Sequence, residues 1–341
     1  MNWAPAAGTR HDSRQGKFHH WWLVVLVLLA GALAVSCRGK HPEGHEAAAS
    51  SHPSPGPAPA ASASSRPQKL GARGLWWKAT TPRGTLVLLG SIHVAPRDLY
   101  PLDPKIEKAF ATADRLVLEV DLNQIDETAM AAQVAARAKY PPGDSLVRHV
   151  PQTTVRLLER HAPGAALGVE TLEQFRPWFV ATTILTTKLQ TLGYEAEQGL
   201  DMHFAAAAHR GPGRPVSALE TLDEQLSLFE SLPSRFQALM LQQTLEQVEG
   251  LEPMMRRVLG AWRRGDPGPV EAEMLAPLRT PEYRPILEKL LLERNRRWVG
   301  KLVALLDHDV SCFVVVGAAH LIGEGSVVDL LRRRHFQVVR Q

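Results

Sequence analysis

Two histidines that lie far apart in the sequence occupy the same local setting. The apolar run TLVLLG is followed by two residues and then His93, and the apolar run CFVVVG by two residues and then His320. Each run is typical of a buried strand ending in a glycine, Gly90 or Gly317, where a glycine permits a sharp turn or a close approach of another group. Imidazole is the commonest transition-metal ligand and also titrates near neutral pH. We therefore predict that both histidines contribute to one site.

A third predicted strand, RLVLEVD, ends in two acidic residues. Glu119 and Asp121 share one face of this strand because side chains alternate. In open α/β sheets ligands bind beyond the carboxyl ends of the strands, and an acidic side chain there requires a cation, a metal ion or water. Asp121 can equally well lie in solvent. Glu119 lies further in, so it is the stronger candidate for a metal ligand or a general base.

A helix predicted over Pro285–Leu306 carries an arginine on its apolar stripe. Helical spacing places Leu287, Leu291, Arg294, Trp298, Leu302 and Leu305 on this stripe. Two interpretations are open. Arg294 either extends to the surface or stacks on Trp298, or it points with Asn295 into a polar cavity and binds an anion or a developing oxyanion.

Alternating strand and helix patterns must bring these residues together. Short apolar or β-branched runs predict strands at Leu75–Thr80, Thr85–Gly90, Arg115–Val120, Pro215–Leu219, Cys312–Val316 and Phe336–Val339. Helical patterns occupy Asp103–Ala113, Ile125–Ala138, Leu172–Thr191, Leu200–His209, Thr221–Glu230, a longer stretch through Arg264, and Pro285–Leu306. This alternation predicts an α/β fold with a mixed, largely parallel central sheet flanked by helices. The stretch from about Leu172 to Leu278 predicts a helical insertion in the middle of the chain.

The composition excludes several classes of protein. A chain of 341 residues that is 45% hydrophobic and 22% charged can build a sizeable core and is too apolar to be disordered. Basic residues exceed acidic ones only slightly, 39 to 35, so we expect no nucleic-acid partner. Two cysteines exclude a disulfide scaffold and a cysteine-rich zinc site. The chain also has no His-Glu-x-x-His motif, which excludes a common zincin.

The N-terminal region predicts export from the cytoplasm. A polar, basic start precedes an apolar run over residues 21–36, shorter than the roughly 20 residues a membrane span needs. The run ends in LAVSC, which resembles a bacterial lipobox, so we predict a signal peptide at 1–37 and lipidation of Cys37. An uncleaved anchor and ordinary cleavage are the alternatives, and all three place the remainder outside the cytoplasm. Residues 38–70 are rich in Pro, Ala and Ser and predict a disordered linker, followed by an α/β domain at 71–341.

Several segments together resemble the TraB/GumN family, which includes the animal Tiki metalloproteases. These segments are GSIHVAP, YPLDPKIEKAFATADRLVLEVD, GLDMHFAAAAHRGPGRPVSALETLDEQL, ERNRRW and FVVVGAAHLIGEGSVVDLLRRR. The resemblance places the two Gly-x-x-His motifs of the family on His93 and His320. It places the early-strand glutamate on Glu119 and the late-helix Arg/Asn pair on Arg294 and Asn295.

Two further acidic residues match recurrent positions of the family. Glu220 ends the predicted strand PVSAL and can reach the same edge of the sheet, so it is a possible additional site residue. Asp201 precedes a helical run and is more simply interpreted as a helix N-cap. The resemblance also implies a fold similar to the erythromycin-esterase-like and ChaN-like proteins. In the Tiki branch it implies a peptidase activity that needs manganese or cobalt.

The leading hypothesis is a metal-dependent, peptidase-like hydrolase in the bacterial cell envelope, attached to a membrane through the lipid on Cys37. A divalent ion held by His93, Glu119 and His320 would lower the pKa of bound water and polarise a carbonyl of a peptide or small-molecule substrate. His and Glu can equally act as a metal-free acid and base. The alternative belongs to a different class of protein. It is a non-catalytic lipoprotein that binds haem or a signalling peptide at the same edge of the sheet.

Overall fold

The computed structural model describes the chain from residue 71 to its end, with four short gaps. The described ranges are 71–121, 126–161, 167–210, 213–306 and 310–341. The predicted signal peptide at 1–37, with its lipidation site Cys37, and the linker at 38–70 lie outside the described residues. Within the described ranges, no helix combines the length and hydropathy that a membrane crossing requires.

Six strands form one mixed sheet. They are β1 (Leu75–Thr80), β2 (Thr85–Ser91), β3 (Arg115–Leu118), β4 (Val216–Ala218), β5 (Ser311–Gly317) and β6 (Gln337–Arg340). The order across the sheet is β4-β3-β5-β2-β1-β6. Strands β4, β3, β5 and β2 run parallel, whereas β1 runs antiparallel to both of its neighbours. The predicted mixed, largely parallel sheet is confirmed.

Thirteen α-helical segments lie along the described chain. They are α1 (Pro104–Ala111), α2 (Glu127–Ala138), α3 (Gln152–His161), α4 (Val169–Leu172), α5 (Pro177–Thr191), α6 (Leu200–His209), α7 (Leu222–Glu230), α8 (Ser234–Gln247), α9 (Leu251–Arg264), α10 (Pro267–Met274), α11 (Arg284–Leu287), α12 (Glu293–Leu306) and α13 (Val327–Arg333). The helices α4 to α10, with β4 among them, form the predicted helical insertion.

Two of the predicted helices are interrupted. The helix predicted over Leu172–Thr191 begins only at Pro177, as α5, and Leu172 is the last residue of the short helix α4. A residue before proline is pushed out of the helical region, and Arg176, which precedes Pro177, is extended (ψ 152°). The helix predicted from Pro285 continues from α11 into α12 through a π-helical turn at Glu288–Leu292. π-Helical turns are frequent at functional sites, and this one directly precedes Arg294.

The two central strands bring the two Gly-x-x-His motifs side by side. After their first residues, both β2 and β5 are buried along their whole length, as expected for parallel strands covered on both faces. Their register pairs Gly90 with Val316 and Ser91 with Gly317. Both motifs therefore leave the sheet at the same edge and at the same level.

Candidate functional site

The structure brings the two motif histidines and Glu119 together at the carboxyl edge of the parallel strands. His93 follows β2, Glu119 follows β3 and His320 follows β5. Glu119 Oε1 lies 3.7 Å from Nε2 of His93 and 3.9 Å from Nε2 of His320. The three residues are buried, with exposed fractions of 8%, 5% and 1% for His93, Glu119 and His320.

The motif glycines permit this close arrangement. A Cβ atom on Gly90 would lie 3.0 Å from the Cα of Ala318, so a larger residue would push the two motifs apart. The carbonyl oxygen of Gly90 accepts a hydrogen bond from Nε1 of Trp262 at 2.7 Å. The amide of Gly317 donates to Oε1 of Glu119 at 2.7 Å. Gly90 thus allows the contact between the motifs, and Gly317 supplies a donor that orients the carboxylate.

Asp201 holds the ring of His93. Its Oδ2 lies 2.7 Å from Nδ1 of His93 and also accepts a short hydrogen bond from the hydroxyl of Ser91. The interpretation of Asp201 as a helix N-cap is wrong: Gly199 is the N-cap of α6, and the carboxylate of Asp201 binds the first motif instead. A Cβ on Gly199 would lie 2.2 Å from the carbonyl oxygen of His93, so a glycine at this position lets α6 approach closely enough for the contact.

The second ring nitrogen of His93 has no partner among the described residues. Its Nε2 is buried and makes no hydrogen bond. Burial disfavours the charged ring, but the charge and hydrogen bond of Asp201, with the nearby charge of Glu119, outweigh it and raise the pKa of His93 to about 9. Burial likewise opposes ionisation of Asp201, yet His93 and Ser91 lower the pKa of this carboxyl. The pair is therefore an ionised carboxylate that orients a protonated ring, and Nε2 would have to release its proton before it could bind a metal ion.

Arg294 lies at the centre of the cluster and is 1% exposed. Its guanidinium carbon lies 4.6 Å from the ring centroid of Trp298, so stacking on Trp298 is confirmed and extension to the surface is wrong. The side chain points inward, but the anions it binds are two carboxylates of the protein. Nε donates to Glu220 at 3.0 Å, and Nη2 donates to Glu119 at 2.7 Å and lies 2.9 Å from Oε2 of Glu220.

The remaining guanidinium nitrogen of Arg294 binds two further acceptors. Nη1 donates to the carbonyl oxygen of Leu290 at 3.2 Å and lies 3.1 Å from Nε2 of His320. A guanidinium has five N–H groups on three nitrogens, and these contacts engage all three nitrogens. Although burial opposes its charge, Glu119 and Glu220 raise the pKa of Arg294. Arg294 is therefore charged and held by hydrogen bonds from all three of its nitrogens.

Both ring nitrogens of His320 are bound by side chains of α12. Nδ1 lies 2.6 Å from Oδ1 of Asn295, and Nδ2 of Asn295 donates to the carbonyl oxygen of Gly325 at 2.9 Å. Burial and the positive charge of Arg294 hold the pKa of His320 well below its ordinary value. His320 is therefore neutral, and its environment differs sharply from that of His93.

Two residues that sequence reasoning missed complete the cluster. Nε2 of Gln225, on α7, donates to Glu119 at 3.3 Å. Arg297, which is half-exposed, donates from Nη2 to Oε1 of Glu220 at 3.1 Å. Both residues lie within the segments that resemble the family, but neither is at a position to which the resemblance assigns a role. Their part in the site depends on the packing of α7 and α12 over the sheet, which no local pattern predicts.

The donor set fits a divalent ion at His93 and Glu119. Among the described residues, no group of three or more His, Cys, Asp or Glu side chains is already arranged as metal ligands. However, neighbouring ligands of one tetrahedral ion stand about 3.4 Å apart, so the 3.7 Å between His93 Nε2 and Glu119 Oε1 is close to this value. A carboxylate on the inner nitrogen, as Asp201 provides, is the usual support of a metal-ligating histidine. Nε2 of His320 would become available only if Arg294 released it.

Solvent reaches the cluster from the side of His93. The side chains of Asp201 and His93 are 21% and 8% exposed, whereas those of Arg294 and Glu220 are 1% exposed. Two surface cavities, of about 710 and 590 Å³, are lined by other residues. From this side a substrate would therefore meet Asp201 and His93 before Arg294 and Glu220.

Two further residues of the domain, His203 and Cys312, have structural roles. His203 packs against Tyr100 and Phe204. Cys312 is buried as a free thiol, as expected for a small apolar residue of the core.

Comparisons with known proteins agree with the resemblance. The sequence model of the TraB/PrgY/gumN family matches residues 75–340. The uncharacterised protein YbaP of Escherichia coli is 26% identical, over 72% of this chain and 87% of its own length. Metalloprotease TIKI2 of Danio rerio is 23% identical over 77% of this chain but only 60% of its own length. A metalloprotease TIKI homolog of Nematostella vectensis is 23% identical, over 80% of this chain and 68% of its own. No solved structure matches the chain significantly.

Proposed function

The chain belongs to the TraB/PrgY/gumN family, and we propose that it is a membrane-tethered, metal-dependent hydrolase with peptidase-like activity. Relatives named as metalloproteases at about 23% identity support a distant relationship to hydrolases. The metal, the peptide-like substrate and the tether are part of the proposal.

One observation carries the proposal: the buried, unpartnered Nε2 of His93 faces the carboxylate of Glu119. A buried nitrogen without a hydrogen bond lowers the stability of the folded protein. We infer that the protein tolerates this loss of stability because a ligand or a reacting group completes the site. Imidazole and carboxylate together suit a first-row divalent ion, and manganese and cobalt remain the candidates that the family resemblance suggests. The bound ion would lower the pKa of a water molecule and polarise a carbonyl.

The residues of the chain then have separate tasks. Asp201 holds His93 in the orientation that presents Nε2. Glu119 Oε1, which accepts one hydrogen bond from the amide of Gly317, keeps one further lone pair, which would either hold the ion or take a proton from the attacking water. Arg294 balances the charges of Glu119 and Glu220. Oxyanion stabilisation by Arg294 would require a substrate oxygen to replace one of its present acceptors, so this role stays a prediction.

The predicted lipid on Cys37 would attach the enzyme to a membrane of the bacterial envelope. In this proposal residues 38–70 connect the anchor to the described domain, which therefore faces out of the cytoplasm. Substrates would then be peptides or small molecules of the envelope or its surroundings.

The test combines metal analysis with a cleavage assay on the purified full-length protein in detergent. Wild type should contain up to one divalent ion per chain and cleave members of a mixed peptide library, detected by mass spectrometry. His93→Gln should lose both properties, and His161→Gln, which alters a histidine outside the site, should lose neither. Cleavage without any metal would favour the acid–base alternative. Retention of haem or a peptide without turnover would favour the binding lipoprotein.

A further inference from the structure

The two motif histidines have different contacts, although their motifs are alike. His93 has one nitrogen bound by Asp201 and one without a partner. His320 has protein partners on both nitrogens, Asn295 and Arg294. Equivalent metal ligands would each present a free nitrogen to the ion. Of the two motif histidines, only His93 does so.

The hydrogen bonds around Asn295 determine the tautomer of His320. Because Nδ2 of Asn295 donates to the carbonyl oxygen of Gly325 at 2.9 Å, its Oδ1 is the atom that faces His320. Oδ1 can only accept, so Nδ1 of His320 carries the proton and Nε2 carries the lone pair. That lone pair accepts the N–H of Arg294 Nη1 at 3.1 Å.

An ion on Nε2 of His320 would take the acceptor away from Arg294. The guanidinium is 1% exposed, so the freed N–H would find no water to replace His320. The ion and the guanidinium would also be two positive charges beside the same nitrogen. By contrast, an ion on Nε2 of His93 displaces no hydrogen bond.

We propose that His320 is a positioning residue, which holds Arg294 between Glu119 and Glu220 through Nε2, and that the divalent ion binds at His93 and Glu119 without it. The inference rests on the proposed metal-dependent function. With Arg294 fixed on Oε2 of Glu119, Oε1 remains directed toward His93. His320 thus acts on the reaction through Arg294 and Glu119.

The first test measures binding of Co²⁺ to the full-length protein by calorimetry and by its visible absorption. His320→Gln removes the imidazole but retains an acceptor, the amide oxygen, for Arg294. It should bind one Co²⁺ within about threefold of the wild-type affinity and with unchanged absorption bands. His93→Gln should bind Co²⁺ at least 100-fold more weakly than wild type. This loss exceeds the 10–100-fold that is typical when a residue that only supports a metal ligand is replaced. Equal losses of Co²⁺ affinity in His320→Gln and His93→Gln would overturn the proposal.

Measurements of kcat distinguish a positioning role of His320 from a general loss of structure. His320→Gln should keep most of the wild-type kcat, whereas His320→Ala, which lacks the acceptor, should lower kcat at least tenfold with little change in KM or in Co²⁺ content. A loss of Co²⁺ in His320→Ala that Gln does not rescue would contradict the proposal.

The second test is made on the wild-type protein, and variants serve only to assign its resonances. It decides the role of His320 even if no metal binds. In ¹⁵N-histidine-labelled wild type, long-range ¹H–¹⁵N spectra should show His320 protonated at Nδ1, with the resonances of both histidines assigned through their Gln variants. Added Zn²⁺, a diamagnetic probe, should shift Nε2 of His93 and leave Nε2 of His320 in place. A proton on Nε2 of His320, or a Zn²⁺ shift there, would refute the positioning role. Absence of any metal effect with the Nδ1 tautomer present would sustain positioning and reject the proposed metal dependence.

Discussion

Asp201 binds Nδ1 of His93 with a separation of 2.7 Å, across 108 residues of sequence. The contact joins the N-terminal turn of α6 to the loop that follows β2. It fixes the ring of this buried histidine and directs its outer nitrogen. The ring of the first motif therefore takes its orientation from a helix of the middle insertion.

Replacement of Asp201 by asparagine should weaken metal binding by about 10–100-fold, because an amide keeps the shape of the partner but not its charge. The same change should lower kcat/KM for peptide cleavage in parallel. Calorimetric titration with Mn²⁺ or Co²⁺ measures the effect. Glu107→Gln is the matched control, since Glu107 lies 3.6 Å from the ring of His203 and outside the cluster. If Asp201→Asn binds the ion as tightly as wild type, the proposed support of His93 is wrong.

Most strands could be predicted from the sequence to within one or two residues. The apolar runs of β2 and β5 are uninterrupted because both faces of these strands are buried. β3 ends at Leu118, two residues earlier than predicted, since its neighbour β4 is paired only as far as Ala218. The predicted positions of the two histidines and Glu119 at one sheet edge follow from this regularity, because parallel strands end at a common edge.

The contacts within the site could not be predicted in the same way. The stripe on α12 indicates that Arg294 is on the buried face, but the side chain could still have reached the surface. Its partners Glu119 and Glu220 follow strands β3 and β4, and their approach depends on how α12 packs over the sheet. Asp201 was misinterpreted for a related reason. An acidic residue near a helix start is usually a cap, and only tertiary packing turns it toward His93.

Substitution of Gly199 by alanine should destabilise the protein and impair the site. The new Cβ would lie 2.2 Å from the carbonyl oxygen of His93, a backbone atom that cannot move aside without shifting the motif. Overpacking of this kind costs about 1–3 kcal/mol of unfolding free energy, measurable by urea denaturation. Gly300→Ala is the contrasting variant, because no atom lies within 4 Å of its added Cβ. Its unfolding free energy should rise by roughly 0.5–1 kcal/mol, the amount by which a helical glycine is less stable than alanine. Equal stabilities of the two variants would argue against the close packing of α6.

Mutation of Cys37 to serine should release the mature protein from the membrane. Without the thiol no lipid can be attached, so the protein should move from the detergent-rich to the aqueous phase in Triton X-114 partitioning. Mass spectrometry should show loss of the acyl groups. Cys312→Ala should remain in the detergent-rich phase, because this cysteine is buried in the domain. A Cys37→Ser protein that stays in the detergent-rich phase would point to the uncleaved apolar segment as the anchor.

The thiol of Cys312 should react slowly with Ellman's reagent in the native protein. Burial raises its pKa, so at pH 8 a smaller fraction is thiolate than in a free cysteine, and the reagent has poor access. The chain has two cysteines, so the Cys37→Ser variant reports on Cys312 alone. Its reaction should become fast once guanidinium chloride unfolds the domain. A fast reaction under native conditions would contradict the burial of β5.

Removal of the Arg294 guanidinium should be far more destabilising than removal of the neighbouring Arg297. Arg294→Met leaves the carboxylates of Glu119 and Glu220 buried without their central cation, and breaking a buried ion pair costs about 3–5 kcal/mol. Arg297 contacts the same Glu220 at 3.1 Å, but its side chain is 49% exposed, so Arg297→Met should cost no more than about 1 kcal/mol. Thermal and urea denaturation compare the two variants directly. Similar losses would mean that solvent screens Glu220 and Arg294 despite their burial.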